Sequence, residues 1–240
     1  MPRPPSGLKP KHPRARTPVP KEGPAALAIF RDLFAAYGPR QWWPAQTDFE
    51  VLVGAILTQN TAWSNVEKAI ANLRNVDALD PHAIATMPKS RLEELIRPSG
   101  YFRQKAQRLQ QVVRAIYGSS TDLQEFLRGD TASVRAKLLA LPGIGPETAD
   151  SILLYAGTHS TFVIDAYTLR LARRFVLPID RAEGRDDYHR AKAYFEAAVP
   201  HDLQIYREYH ALIVELGKGT CRPTPKCPQC PLQRRCAQKV

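Results

Sequence analysis

Apolar residues recur at intervals of three and four along most of the chain from Ala25 onward. Leu27, Phe30, Phe34 and Tyr37 form one stripe, Leu203, Tyr206, Tyr209 (or His210) and Ile213 another, and a short segment opens at Lys89 and closes at Ile96. A 3.6-residue period repeated over so many segments predicts an all-α protein of roughly ten helices, each of one to four turns. Gly38-Pro39, Asp80-Pro81, Pro98-Ser99-Gly100, Gly118-Ser119-Ser120, Pro142-Gly143 and Pro200 fall where stripes stop. Neither a strand alternation nor a repeat of fixed period stands out.

Length and composition narrow the class. With 240 residues, 44% of them hydrophobic and 24% charged, the chain can bury a core without disulfides, which excludes wholesale disorder and collagen-like repetition. Nothing in it approaches the ~18 apolar residues that span a bilayer, and the N-terminus lacks the apolar core of a signal peptide, so a soluble, cytoplasmic protein is expected. Lys and Arg outnumber Asp and Glu by 34 to 23, for a net charge of +11, the footprint of a polyanion ligand. Residues 1–24 carry six of these cations and eight prolines and are expected to form a disordered, basic, Pro-rich arm. Residues 217–240 hold Lys218, Arg222, Lys226, Arg234, Arg235 and Lys239 with no acid, together with every cysteine of the chain.

The segment Leu141-Pro142-Gly143-Ile144-Gly145-Pro146-Glu147-Thr148-Ala149 reads as helix, tight turn, helix. Gly143 and Gly145 free the backbone to turn and to aim its N–H groups outward, and Pro146 suits the first turn of the next helix. Unpaired N–H groups at a helix start attract an anion, and such contacts position a duplex by its phosphates. Glycine and proline also turn ordinary helical hairpins. The fuller pattern Leu-Pro-Gly-Ile-Gly-x-x-Thr-Ala is narrower and resembles the helix-hairpin-helix of the endonuclease III superfamily of DNA glycosylases. That resemblance covers nearly everything from Ala25 to Val240 and implies DNA contacts at Leu141, Gly143, Ile144, Gly145 and Thr148.

Some twenty residues on, Asp165 follows a short apolar run and precedes a fresh helix, as a capping carboxylate does. The resemblance places the catalytic aspartate here. A fixed carboxylate would stabilise the positive charge that develops on the sugar as the N-glycosidic bond breaks, or would orient the attacking water.

Cys221, Cys227, Cys230 and Cys236 are spaced C-x5-C-x2-C-x5-C. Without a secretory signal, clustered cysteines point to metal, either a structural zinc or an iron–sulfur cluster, and spacing alone favours zinc. The resemblance reverses that order and implies a [4Fe-4S] cluster, although the first loop is one residue shorter than the usual C-x6-C. Such a cluster would be structural and would hold Arg222 and Lys226 toward phosphate.

Two departures bear on the reaction. Bifunctional members carry a lysine two residues after the second hairpin glycine, and its amine forms a Schiff base with the sugar. Glu147 stands there in this chain. Lys218 is the nearest substitute amine, with an ordinary role as a cation at a helix C-terminus. Gln41-Trp42-Trp43-Pro44, Leu57 to Trp63, Ile96 to Gly100 and Glu147 to Asp150 resemble pocket segments of the monofunctional 3-methyladenine glycosylases of this superfamily. Trp43, Trp63 and Lys218 are therefore expected to line a base pocket, where an aromatic clamp favours cationic alkylated purines. In the endonuclease III pattern Gln59 enters the gap left by the flipped nucleotide, and Tyr101 is the wedge against the other strand.

The resemblance implies an all-α, two-domain helix-hairpin-helix DNA glycosylase with a C-terminal cluster loop. Residues 45–158 would form a six-helix domain bearing the hairpin. Residues 25–44 would join 159–240 in a second domain. The expected activity is monofunctional hydrolysis of alkylated purines from double-stranded DNA in base excision repair. The alternatives are an endonuclease III-like lyase on oxidised pyrimidines and a catalytically silent DNA-binding protein. A monomer is expected, nucleoid-associated if bacterial.

Overall fold

The computed structural model describes residues 25–175 and 186–237. The arm expected at residues 1–24 lies outside them. Twelve α-helices are present among the described residues: α1 (Ala25–Tyr37), α2 (Asp48–Leu57), α3 (Trp63–Arg74), α4 (Pro81–Thr86), α5 (Lys89–Leu95), α6 (Phe102–Ser119), α7 (Leu123–Phe126), α8 (Thr131–Leu139), α9 (Pro146–Tyr155), α10 (Ala166–Arg174), α11 (Asp186–Ala198) and α12 (Leu203–Gly219). Short 3₁₀ turns cover Arg97–Ser99 and Cys227–Gln229. No strand occurs among the described residues, and none of the helices is long and apolar enough to cross a membrane.

The expected breakers mostly hold. Asp80 caps α4 from in front of Pro81, so this pair opens a helix and does not merely close one, whereas Gly118 lies inside α6. Eight helices, α2 to α9, fall within residues 45–158, where the resemblance implied six; α4 and α7 are the short ones, of six and four residues. Asp80, Asp122, Asp130, Asp165 and Asp202 each accept a backbone N–H from the first turn of the helix they precede, satisfying a donor with no intrahelical partner.

Two helices sit at the centre. Every residue of α2 from Phe49 to Leu57 is buried, as is every residue of α9 from Thr148 to Tyr155, and the two pack on each other. Helices α3 to α8 gather on that side. On the other, α12 packs against α1 and α10 while α11 packs on both of these. Helix α9 also touches α12, so the helix that leaves the hairpin packs against both groups.

Candidate active site

The hairpin is pinned from within and open from without. Ile144 is buried and its N–H donates to the Leu141 carbonyl (3.2 Å), while Gly143 is exposed and left-handed at φ +77°. A Cβ on Gly143 would stand 2.5 Å from Arg108 Cδ, so the Arg108 side chain lies across the turn. Gly145 is extended, nothing lies within 4 Å of a Cβ built on it, and Pro146 begins α9 directly after it. Of the residues expected to meet DNA, Leu141 is half-buried, whereas Ile144 and Thr148 turn their side chains inward. Any contact these last two make with phosphate would be through the backbone.

Gln59 is tied to this turn. Its Nε2 donates to the Gly143 carbonyl (3.0 Å) and to Thr148 Oγ1 (3.0 Å), and its Oε1 accepts from the Arg108 guanidinium (3.2 Å). Tyr101 stands free, 67% exposed on a left-handed backbone (φ +45°) just ahead of α6.

Asp165 is both a cap and a neighbour of the site. Its Oδ1 accepts from the Thr168 N–H (2.7 Å) and hydroxyl (2.9 Å), while Oδ2 lies 3.4 Å from His210 Nε2, an ion-pair contact whose alignment falls short of a hydrogen bond. His210 Nδ1 in turn meets the Tyr155 hydroxyl at 2.7 Å. Burial pushes the Asp165 carboxyl up, but His210 and Thr168 outweigh it and leave it below the usual carboxylate range. Glu147, in the first turn of α9, is solvent-accessible yet stands in a crowded concavity. That crowding and the Asp165 charge push its carboxyl up to about 7, opposed by His210. Two adjacent carboxyls thus titrate apart, the arrangement that gives paired acids different roles.

An aromatic wall adjoins the acids. Trp43 lies 5.2 Å from Tyr155 and 5.1 Å from Trp63, centroid to centroid, and Trp42 completes the cluster at 5.3 Å from Trp63. Gly54 on α2 permits this packing, because a Cβ there would come within 3.3 Å of the Trp43 ring. The Lys218 ammonium sits 5.0 Å above the Trp42 ring, its pKa lowered by burial and partly restored by Glu215, Glu67 and Asp165. Trp43, Trp63 and Lys218 therefore do gather beside Asp165. Asp150, quoted with the same expected pocket segments, does not: fully buried, it accepts from Arg135 (2.8 and 3.2 Å), Thr161 (3.1 Å) and Tyr188, tying α8 and α11 to the segment that leads into Asp165.

The four cysteines line one cavity with Arg174, Phe175, Thr220, Pro225 and Gln233. Zinc bonds of ~2.3 Å would draw four sulfurs onto one point. Among the described residues no three side chains stand closed up as a metal site, and the four cysteines lining this cavity are the thiolates that either a structural zinc or an iron–sulfur cluster would need. Arg174 reaches Cys221 Sγ (3.1 Å) and the Pro223 carbonyl (3.0 Å), and Arg170 Nε donates to the Cys221 carbonyl (2.8 Å), so α10 braces the loop. Arg222 and Lys226 are both exposed.

The chain's pattern gives Tyr155 and Arg108 no functional part, and gives His210 only an alternative place in a helix stripe. None belongs to a local motif, and each reaches the site only through helix packing. Trp42 shows its part only by its place in the cluster.

Comparison with known proteins agrees with this arrangement. The family model described as HhH-GPD superfamily base excision DNA repair protein matches residues 53–201. A candidate DNA repair glycosylase of Methanocaldococcus jannaschii is 46% identical over 88% of this chain and 95% of its own. Endonuclease III of Thermotoga maritima is 29% identical over 80% of this chain and 84% of its own. The crystal structure of the H. pylori 3-methyladenine DNA glycosylase bound to 1,N6-ethenoadenine superposes with a TM-score of 0.67 at 31% identity, covering 80% of this chain and 97% of that one. The fold, the hairpin and the matched span agree: the chain belongs to the HhH-GPD superfamily of base excision DNA repair proteins and is a DNA glycosylase of endonuclease III type.

Proposed function

We propose that the protein is a monofunctional glycosylase that hydrolyses alkylated purines from double-stranded DNA. The observation that carries this reading is the pairing of Asp165 with Glu147: a carboxylate held ionised stands beside a second carboxyl where a lyase would need an amine. Asp165 keeps Oδ1 on its helix cap, and Oδ2 is the oxygen left to stabilise positive charge on the sugar or to orient water. Trp42, Trp43 and Trp63 supply faces against which a cationic base gains attraction that a normal base does not. The H. pylori neighbour, a 3-methyladenine glycosylase, supports the same substrate class.

The backbone at exposed Gly143 and half-buried Gly145 holds phosphate, and Gln59 and Tyr101 enter the helix as the damaged nucleotide leaves it. The two groups of helices act as domains, with the lesion in the cleft between them. Cys221, Cys227, Cys230 and Cys236 would hold a [4Fe-4S] cluster that fixes the basic C-terminal loop and takes no part in base release.

The test is release of base from duplexes bearing 3-methyladenine, thymine glycol or uracil, with and without alkali, alongside borohydride trapping. Release of 3-methyladenine, with the strand intact until alkali is added and no trapped adduct, is the expected result. Efficient trapping that disappears in a Lys218→Ala variant would assign the enzyme to the lyases, and no release from any duplex would make it a DNA-binding protein.

A further inference from the structure

Among the described residues Lys105 is the most deeply buried charged side chain apart from Asp150, at 1% exposure, and none of the chemistry above uses it. It lies in the first turn of α6, four residues after Tyr101. Its ammonium donates to the Leu57 carbonyl (2.8 Å), to Thr61 Oγ1 (2.7 Å) and to the Ser99 carbonyl (2.6 Å). Thr61 adds a further link, its hydroxyl donating to the same Ser99 carbonyl. All three donors of the ammonium are thereby used.

The acceptors lie on two separate turns. Leu57 ends α2 and Thr61 closes the turn that carries Gln59, while Ser99 ends the 3₁₀ turn directly ahead of Gly100 and Tyr101. Both turns contain left-handed backbone, at Asn60 (φ +52°) in one and at Gly100 (φ +65°) and Tyr101 (φ +45°) in the other. Non-glycine residues in that region persist only where surrounding contacts hold them. A buried lysine could also be a nucleophile, and burial with the nearby Arg108 charge lowers this one to about 8. Enclosure among three acceptors keeps its amine from any sugar, so it serves position and not bond-making.

We propose that Lys105 is a positioning residue that sets the spacing between the Gln59 turn and the Tyr101 turn, so that both side chains enter one duplex together. The inference rests on the reading of Gln59 and Tyr101 as inserted side chains. Removing the ammonium leaves three acceptors without their shared donor and lets the two turns part. The loss should fall chiefly on DNA that must be opened, because Lys105 makes none of its own bonds to the hairpin, which keeps its separate links to Gln59 through Gly143 and Thr148.

The test measures affinity for an abasic-analogue duplex and for an undamaged duplex, with 2-aminopurine fluorescence opposite the lesion as the readout of insertion, in Lys105→Met, Lys105→Arg, Tyr101→Ala and Lys105→Met/Tyr101→Ala proteins. Lys105→Met is expected to lower the preference for the abasic duplex roughly 10-fold with a matching loss of the fluorescence change, and Lys105→Arg to recover part of both. In the Tyr101→Ala background the same substitution should add little, since residues acting through one another are not additive. Equal losses on both duplexes, or full additivity with Tyr101→Ala, would overturn the inference and make Lys105 a general brace. A Tyr101→Ala protein with unchanged abasic affinity would instead overturn the insertion reading, and this inference with it. Should Lys105→Met fail to fold, Thr61→Val removes the hydroxyl link between the same turns and is held to the same outcomes.

Discussion

One oxygen of Asp165 caps α10 and the other is the one proposed to serve base release, and that division makes its replacement informative. An Asp165→Asn protein keeps a side-chain oxygen for the Thr168 N–H while losing the charge, so α10 should stay capped. Base release is then expected to fall by roughly 10²-fold or more with lesion binding retained, as measured by single-turnover kinetics beside duplex affinity. Full activity in that variant would leave only the cap. Glu147 carries a pH dependence of opposite sense. Its carboxyl is raised from 4.5 to about 7, so the stability it contributes is present below the lower value and lost as pH rises through the upper one. Against a Glu147→Gln protein, which is neutral throughout, the unmodified protein should lose relative melting temperature between about pH 5 and pH 8. Solvent access to Glu147 keeps that change small. A flat difference across the range would show that neither burial nor the Asp165 charge raises this carboxyl.

Among the elements, the hairpin turn separates into two glycines with different reasons to be glycine. At Gly143 the backbone is left-handed and a Cβ would meet Arg108, so an alanine strains the turn before any ligand arrives. At Gly145 the backbone is extended and the space around it empty. Gly145→Ala should therefore leave the thermal midpoint unchanged while lowering affinity for every duplex alike, and titration at several salt concentrations measures it. Unchanged affinity would make the turn a connector. Helix α10 joins two ends of the molecule in nine residues: Asp165 caps its start, and Arg170 and Arg174 brace the cysteine loop near its finish. The protein is expected to purify anaerobically as a brown species with about four irons per chain. Colourless protein holding one zinc would overturn the cluster.

Across the whole molecule, what could be read from the chain was local. The 3.6 period of Leu27, Phe30, Phe34 and Tyr37 is visible because a helix face repeats within a few residues, and α1 forms there. Helices α4 and α7 left no such trace, since one turn is too short for a period and depends on its Asp80 or Asp122 cap. The hairpin, Asp165 and the four cysteines stand out because their chemistry is written in adjacent residues. Trp43, Trp63 and Lys218 emerged only through resemblance to a family, because they come from three separate segments. His210 is 45 residues from Asp165 and Lys105 is 48 from Leu57, each meeting its partner only once helices pack. The sequence by itself determined the helical class, the tight glycine turn before α9 and the absence of a lysine at Glu147, since local sterics and covalent identity decide those. Only the tertiary structure decided that Oδ2 of Asp165 faces His210, that Glu147 is raised by crowding and by the Asp165 charge, and that one buried ammonium joins two turns. Burial and the distance between charges are properties of packing, and no stretch of sequence contains them.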